Sequence, residues 1–269
     1  MRRALFALYM TTAFAVAYTD SDMDGVEDYY DKCSQTPLSD LVDYDGCSIK
    51  SDKKEIFYDI VFGSGYSQIN YSSQQSADTM NSYIQSDIYF DKWCFQGIAS
   101  YYRSDTQTDT KKGWDDTVLN LFYKLLSTEY LSLNLGVGII LPTYESGYNN
   151  EALDYRGLVN FEYSIGERNY LFGGYSYTWI NDKDRPILTY QNTKYFNVGV
   201  GYIPNSNATC NISYSSSDSI YKNIKTIQTL GIGYSLDIDP NWFIGAYYDY
   251  GLSSSASDHS ISAHVGYYF

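Results

Sequence analysis

The feature that most constrains this chain is an alternation of polar and apolar residues that recurs through residues 54–269. Between Leu131 and Leu141, for example, leucine, valine and isoleucine alternate with serine, asparagine and glycine. A period of two places successive side chains on opposite faces of a β-strand. Most segments have about the 9–11 residues that a tilted strand needs to cross a bilayer. Twelve such segments are present: Glu55–Tyr66, Met80–Phe90, Trp93–Arg103, Trp114–Leu125, Leu131–Leu141, Leu153–Ile165, Tyr170–Ile180, Tyr195–Ile203, Ala208–Ser216, Thr226–Leu236, Trp242–Leu252 and His259–Phe269.

The connectors between these segments alternate in length. Short connectors lie at Asp91–Lys92, Ser127–Tyr130, Gly166–Asn169, Pro204–Asn207 and Asp237–Pro240. Longer polar connectors lie around Ser67–Thr79, Ser104–Gly113, Pro142–Ala152, Asn181–Lys194, Ser217–Lys225 and Ser253–Asp258. Short periplasmic turns and long external loops are typical of outer-membrane barrels. Because no sheet edge can stay unpaired in hydrocarbon, the sequence predicts an all-β fold, an antiparallel transmembrane β-barrel of about 12 strands.

The composition agrees with a membrane barrel. Mean hydropathy is only -0.36, whereas aromatic residues make up 18% of the chain and include 32 tyrosines. Alternating lipid-facing and lumen-facing residues keep the average hydropathy of a barrel low. Tyrosine and tryptophan collect at membrane–water interfaces. A secreted β-sandwich, the alternative fold, explains neither the tyrosines nor the alternating connectors.

The chain ends in the aromatic residue Phe269, with Val265 and Tyr267 at alternate positions before it. This ending resembles the C-terminal strand of Gram-negative outer-membrane β-barrel proteins, although it indicates no subfamily. The resemblance covers residues 54–269 and implies a location in the outer membrane, with outer-membrane lipid around the barrel. It also implies that the barrel insertion machinery recognises the Phe269 strand. We expect no nucleic-acid partner.

Residues 1–17 have the pattern of a secretory signal peptide. Arg2 and Arg3 precede an apolar run, and Ala15-Val16-Ala17 fits the small-x-small cleavage pattern. The run is too short for a transmembrane helix, which needs about 20 apolar residues. We therefore expect cleavage after Ala17. The rest divides into an acidic segment, residues 18–53, with ten Asp and Glu against three Lys, and the barrel, residues 54–269.

Residues 20–31 have the ligand spacing of an EF-hand-type calcium loop. With Asp20 as position 1, carboxylates fall at positions 1, 3, 5, 9 and 12, and glycine falls at position 6. A hard cation takes six to eight oxygen ligands, one of them the carbonyl of position 7. The sequence therefore predicts a Ca²⁺ site, with an acidic disordered spacer as the alternative. The predicted ligands are Asp20, Asp22, Asp24, Val26, Asp28 and Asp31.

The continuation through Cys33-Ser34-Gln35-Thr36-Pro37 and then Val42–Cys47 resembles the thrombospondin type 3 repeat, over about residues 19–48. Here position 12 is the shorter Asp31 rather than glutamate. The resemblance implies a Cys33–Cys47 disulfide and a second, partial calcium site near Asp43 and Asp45. We expect calcium to have a structural role in a periplasmic segment. The fold class is thus a barrel preceded by a short, disulfide-closed, calcium-binding segment.

If the apolar faces contact lipid, a polar inner face remains. Its excess of carboxylates could favour cations or sugars over anions. Alternatively, these side chains only hydrate the lumen or pair with one another, as Arg156 could with Asp154 and Glu162. Side chains or the N-terminal segment could also fill a lumen of this size. The predicted inner-face residues are Asp59, Asn81, Gln85, Asp87, Gln96, Asp116, Asn120, Lys124, Asn134, Asp154, Arg156, Asn160, Glu162, Asn197, Asn211, Asp249 and His264.

These features favour a narrow channel or transporter-like pore for small solutes, and not an enzyme. Two other functions stay open. One is a non-conducting structural or adhesive surface barrel. The other is an outer-membrane hydrolase, for which Asp258 and His259 form a candidate pair at the rim. Cys94 and Cys210 fall on opposite faces of their strands, so we expect both to be unpaired.

Overall fold

The computed structural model describes residues 20–26, 28, 31–33, 35–36, 41–49, 56–69, 77–106, 108–144, 152–186 and 188–269. The expected signal peptide, residues 1–17, lies outside the described residues. Within the described ranges, no helix has the length and apolar character needed to span a membrane.

The described part of the barrel is one antiparallel sheet of twelve strands, each paired with the next along the chain. The last strand pairs with the first, with Tyr268 opposite Asp59 and His259 opposite Gln68. The sheet therefore closes, and the predicted twelve-stranded barrel is confirmed. The strands are β1 Ile56–Ile69, β2 Ala77–Phe90, β3 Trp93–Thr106, β4 Thr110–Trp114 continued as Thr117–Ser127, β5 Leu131–Leu141, β6 Asp154–Ile165, β7 Asn169–Trp179, β8 Thr193–Asn205, β9 Ala208–Ser217, β10 Ile227–Asp237, β11 Trp242–Gly251 and β12 His259–Tyr268.

Two predicted long connectors are shorter in the structure, because the strands beside them are longer. In the predicted connector Ser67–Thr79, β1 runs on to Ile69 and β2 already begins at Ala77. The long loop expected around Ser104–Gly113 shrinks to residues 107–109, because the β3–β4 ladder continues until Asp105 pairs with Thr110. Polar residues here belong to a strand that extends past the apolar band, and polarity alone made them resemble a loop. The other connectors alternate as expected. We call the end with the five short connectors the short-turn end, and the opposite one the long-loop end.

The two faces of the sheet differ in chemistry as the alternation predicts. Large apolar side chains are exposed on the outside; Val137, for example, is 63% exposed. Each of the seventeen predicted inner-face residues is buried or half-buried. Cys94 and Cys210 are both free thiols, which confirms that prediction. The inner wall is therefore polar and the outer wall apolar, as a bilayer requires.

Large aromatic side chains also point inward, which the alternation did not predict. Six of them lie directly opposite a glycine of the neighbouring strand. A Cβ on Gly199 would lie 2.4 Å from Cζ of Phe172, so a larger residue there would displace the ring. These rings narrow the lumen, and the missed indication was the facing glycine. The pairs are Tyr83 with Gly63, Phe122 with Gly136, Tyr170 with Gly201, Phe172 with Gly199, Phe243 with Gly266 and Tyr247 with Gly233.

Candidate functional site

We call residues 20–31 the acidic loop, and its described residues fold around their own carboxylates. The two carboxylate oxygens of Asp20 accept hydrogen bonds from the backbone N–H groups of Asp24, at 3.1 Å, and Gly25, at 2.8 Å. Oδ1 of Asp24 accepts from N–H of Val26 at 2.8 Å. Gly25 has a φ of 91°, which glycine adopts without the steric cost that a Cβ brings. The glycine at position 6 thus makes the predicted turn.

The structure brings three of the predicted ligands together. Asp20, Asp22 and Asp24 are buried, and each offers a carboxylate oxygen within 4.8 Å of those of the other two. Oδ2 of Asp24 is buried and accepts no hydrogen bond. A buried, unpartnered carboxylate oxygen beside two other carboxylates fits the donor set that a hard cation requires.

The remaining predicted ligands are placed differently. The carboxylate of Asp28 accepts hydrogen bonds from N–H and Oγ of Ser21, both at 2.5 Å, so protein donors already satisfy it. Asp31 lies in electrostatic range of Asp22 and Asp24, and its Oδ2 is buried without a partner. Val26 contributes the N–H already described. The full six-residue ligand set stays a prediction.

Burial dominates the electrostatics of the acidic loop. Burial, together with the smaller effect of the nearby carboxylates of Asp22, Asp31 and Asp28, raises the pKa of Asp24 to about 7. Burial likewise raises the pKa of Asp20, Asp28 and Asp31. Both effects act because each charged carboxylate loses water and faces like charges. A divalent cation bound among these oxygens would offset both the loss of water and the repulsion between the carboxylates.

Other described residues of the acidic segment pack against this loop. A Cys33–Cys47 disulfide, with a Cα–Cα distance of 5.0 Å, confirms the expected pairing. N–H of Thr36 donates to Oδ2 of Asp22 at 2.8 Å, which ties the two halves together. Lys32 forms an ion pair with Asp45 at 2.7 Å. Because Asp45 already contacts a protein cation, the second calcium site stays a prediction.

The acidic loop lies at the short-turn end of the barrel. Oγ of Ser127, at the end of β4, donates to the carbonyl oxygen of Ser21 at 2.6 Å. A Cβ on Gly25 would lie 3.6 Å from the ring of Phe57, in β1. The loop and the inner wall together line a cavity of about 960 Å³. The inner-wall residues that line this cavity include Asn134, Arg156, Leu158, Asn160, Phe172 and Asn197.

Several polar groups on the inner wall have no hydrogen-bond partner among the described residues. Nε of Arg156 and Nζ of Lys124 are buried without a hydrogen bond. The suggested pairing of Arg156 with Asp154 and Glu162 is not formed among the described residues. Oδ1 of Asp154 instead accepts from N–H of Asn181 at 2.8 Å. The inner wall therefore presents polar groups to the cavity instead of pairing them with one another.

The inner wall also carries two carboxylates that face each other. Asp59 on β1 lies directly opposite Asp87 on β2. OH of Tyr89 donates to Asp59 at 3.1 Å, and Nε2 of Gln85 donates to Asp87 at 2.6 Å. Oδ1 of each aspartate is buried without a partner. One pair of inner carboxylates thus lies side by side on β1 and β2, whereas Asp154 and Glu162 lie on β6 with Arg156.

The rim histidine takes part in no Asp–His pair within the described chain. Nδ1 of His259 is hydrogen bonded to OH of Tyr248 at 2.6 Å, and its ring contacts Tyr250 on the exposed outer face. Asp258 uses its backbone to bond Gln68 and Gly251. The arrangement that a hydrolase would need between His259 and Asp258 is not formed.

Comparison with known proteins gives matches at the level of structure. No family model matches this chain, and no curated protein sequence is similar to it. An outer membrane channel from Pseudomonas putida F1 matches with a TM-score of 0.65 and 10% identity, covering 80% of this chain and 96% of that one. The NanC porin matches with a TM-score of 0.54 and 13% identity, and the KdgM porin with 0.51 and 10%. Each porin match covers 78% of this chain and 98% of the porin. What these proteins share with this chain is the barrel fold.

Proposed function

We propose that this protein is a narrow outer-membrane channel for small polar solutes, with a calcium-stabilised N-terminal segment on the periplasmic side. The observation that carries the proposal is a closed barrel whose polar inner wall opens into a cavity of about 960 Å³. Asn134, Asn160 and Asn197 line this cavity with amides that form no hydrogen bond within the described chain. Amides of this kind offer both donors and acceptors to a passing solute.

The similar structures support the same function. All three that were compared above are named as an outer membrane channel or a porin. A barrel that only served as a surface scaffold would have no need of unpartnered polar groups along its inner wall, since burying them costs free energy. The free polar groups therefore favour transport over a non-conducting barrel.

The charge of the inner wall points to the preferred solutes. Among the predicted inner-face residues, six are acidic and two, Lys124 and Arg156, are basic. An excess of one sign in a narrow, low-dielectric pore focuses the potential and concentrates counter-ions. We expect the channel to prefer cations and neutral sugars over anions.

Single-channel recording in planar bilayers tests the proposal. The full chain should give discrete open steps, and the reversal potential in a salt gradient should show cation preference. Asp59→Asn and Asp87→Asn should reduce that preference, because they remove carboxylates from the lumen. Asp78→Asn, with the same charge change at the long-loop end of β2, is the matched control. A folded protein without open steps would contradict the channel.

Calcium binding is tested separately on the full chain in detergent. Calorimetric titration with Ca²⁺ should show saturable binding that Asp24→Asn abolishes or strongly weakens, since the buried Oδ2 of Asp24 belongs to the three-aspartate cluster. Asp78→Asn should bind as the wild type does. Equal heats for all three proteins at every calcium concentration would remove the calcium site from the proposal.

A further inference from the structure

The acidic loop is seated in the mouth of the barrel at its short-turn end. It touches the wall on two sides: Ser21 accepts from Ser127 of β4, and Gly25 faces the ring of Phe57 of β1. The cavity inside the barrel is bounded by the loop as well as by the wall. A solute that leaves the cavity through this mouth must therefore pass the acidic loop.

Lys124 is the main electrostatic link between wall and loop. The residue is only 3% exposed, and its ammonium group has no hydrogen-bond partner. The charges that act on it are those of Asp20, Asp22, Asp28 and Asp24, all from the loop. A buried ammonium without a counter-charge is costly. The loop thus supplies the compensation that the barrel itself does not give Lys124.

A β-bulge in β4 turns the side chain of Ser127 towards the acidic loop. The register between β4 and β5 shifts between Lys124 and Leu126, with Lys124 opposite Asn134 and Ser127 opposite Ser132. Leu125 and Leu126 consequently both face outward, with exposures of 50% and 40%. If the side chains alternated strictly from Lys124 without a bulge, Ser127 would face lipid. Bulges commonly serve to re-aim a side chain in this way.

From these contacts we propose that the acidic loop is a plug that closes the pore at its short-turn end. Lys124 and Ser127 hold the plug, and bound calcium gives it the compact shape that fits the mouth. This inference rests on the proposed channel and on the proposed calcium site. It adds that the two are coupled, because the state of the calcium loop sets how far the pore is open.

The coupling follows from charge. The acidic loop brings five aspartates, Asp20, Asp22, Asp24, Asp28 and Asp31, into a mouth where Asp28 already faces the carboxylate of Glu162. Lys124 balances only one of these five negative charges. A divalent cation balances two more and holds the turn of the acidic loop in place. When calcium is chelated, mutual repulsion opens the loop, and the opened loop leaves the mouth. Chelation therefore increases conductance.

The test compares single-channel conductance in calcium and in the chelator EGTA, using the full chain. EGTA should raise the conductance of the wild type severalfold. Lys124→Gln should show the raised conductance in calcium as well, because the plug has lost its counter-charge on the wall. Arg156→Gln is the matched control: it removes one positive charge from the same inner wall at a residue on which no loop carboxylate acts. It should keep the wild-type response to EGTA.

A crosslink provides a second measurement that does not depend on removing charge. In a Cys94→Ser, Cys210→Ser background, Ser21→Cys and Ser127→Cys can be joined by a short bifunctional thiol reagent, since Oγ of Ser127 lies 2.6 Å from the Ser21 carbonyl oxygen. The crosslinked protein should stay at low conductance in EGTA. The single Ser127→Cys variant, treated identically, should still respond.

The outcomes separate the plug from the channel. Open steps of equal size in calcium, in EGTA and after crosslinking would overturn the plug and leave the channel standing. Silence of every folded variant, with or without EGTA, would overturn the channel and the plug together. A rise in conductance for Arg156→Gln equal to that for Lys124→Gln would show that wall charge, not the plug, sets the conductance, and would also overturn the inference.

Discussion

The inward aromatic rings lead to a quantitative prediction about two neighbouring glycines of β8. The three atoms nearest to a Cβ on Gly201 would all belong to the ring of Tyr170, at 2.0 to 2.5 Å. A Cβ on Gly199 would meet the ring of Phe172 at 2.4 Å and also the backbone carbonyl oxygen of Ile212 at 2.6 Å. A ring can swing into the lumen, but a carbonyl in the β8–β9 ladder can move only if its hydrogen bonding is disturbed.

The two alanine variants should therefore differ in stability. Overpacking a wall typically costs about 1–3 kcal/mol, and replacing a strand glycine by alanine returns about 0.5–1 kcal/mol. In Gly201→Ala the ring of Tyr170 can move, so the cost of overpacking and the gain from replacing glycine nearly cancel. For Gly199→Ala the backbone contact places the cost near the top of the range. We expect a net loss of about 2 kcal/mol for Gly199→Ala, roughly a 30-fold change in the folding equilibrium constant.

Urea unfolding in lipid vesicles, followed by tryptophan fluorescence, measures both variants from their transition midpoints. Double-mutant cycles then identify the contact responsible. Tyr170→Ala should remove any cost of Gly201→Ala, whereas Phe172→Ala should relieve Gly199→Ala only in part, because the Ile212 contact remains. Equal destabilisation by the two alanines, or complete relief of Gly199→Ala by Phe172→Ala, would refute the reasoning.

Three further predictions concern the acidic segment and the rim. The double variant Cys33→Ser, Cys47→Ser opens a link between residues 14 apart, which should cost the segment about 3 kcal/mol and weaken calcium binding up to roughly 100-fold in calorimetry; unchanged affinity would contradict the coupling. Gly46→Ala should also weaken calcium binding, because its φ is 72° and its Cβ would lie 2.0 Å from a carboxylate oxygen of the acidic loop. Gly166→Ala is the matched control, with a φ of 71° and nothing within 4 Å. Neither wild type nor His259→Ala should hydrolyse phospholipid or peptide substrates, and activity that this substitution abolishes would restore the hydrolase hypothesis.

The barrel could be predicted closely because its two signatures are local. A period of two and the alternation of short and long connectors are visible without knowing which strand lies beside which. The inner face follows from the same periodicity, so Asp59 and Asp249, far apart in sequence, were both placed correctly in the lumen. The calcium spacing is local too, and the structure brings Asp20, Asp22 and Asp24 together as the spacing implies.

What the sequence could not show depends on neighbours from other strands. Tyr170 and Phe172 share a face that looks too bulky for a lumen, and only the register reveals the glycines that accommodate their rings. The bulge beside Leu125 is invisible to a simple period of two, so Ser127 would be assigned to the wrong face. Likewise the bond from Ser21 to Asp28, two residues of the same loop, competes with the ligand role that spacing alone assigns to that aspartate.

The role of Lys124 also depends on its neighbours in the folded chain. In the sequence it is one of two basic residues on an inner face whose charged residues are mostly acidic, and it could as well pair with a lumen carboxylate. In the structure the carboxylates that act on it all come from the acidic loop. An acidic loop entering an acidic pore is repelled unless cations compensate it. The wall supplies one such charge through Lys124, and the proposed calcium ion supplies two more. The loop should therefore close the pore as a calcium complex and not as a bare peptide.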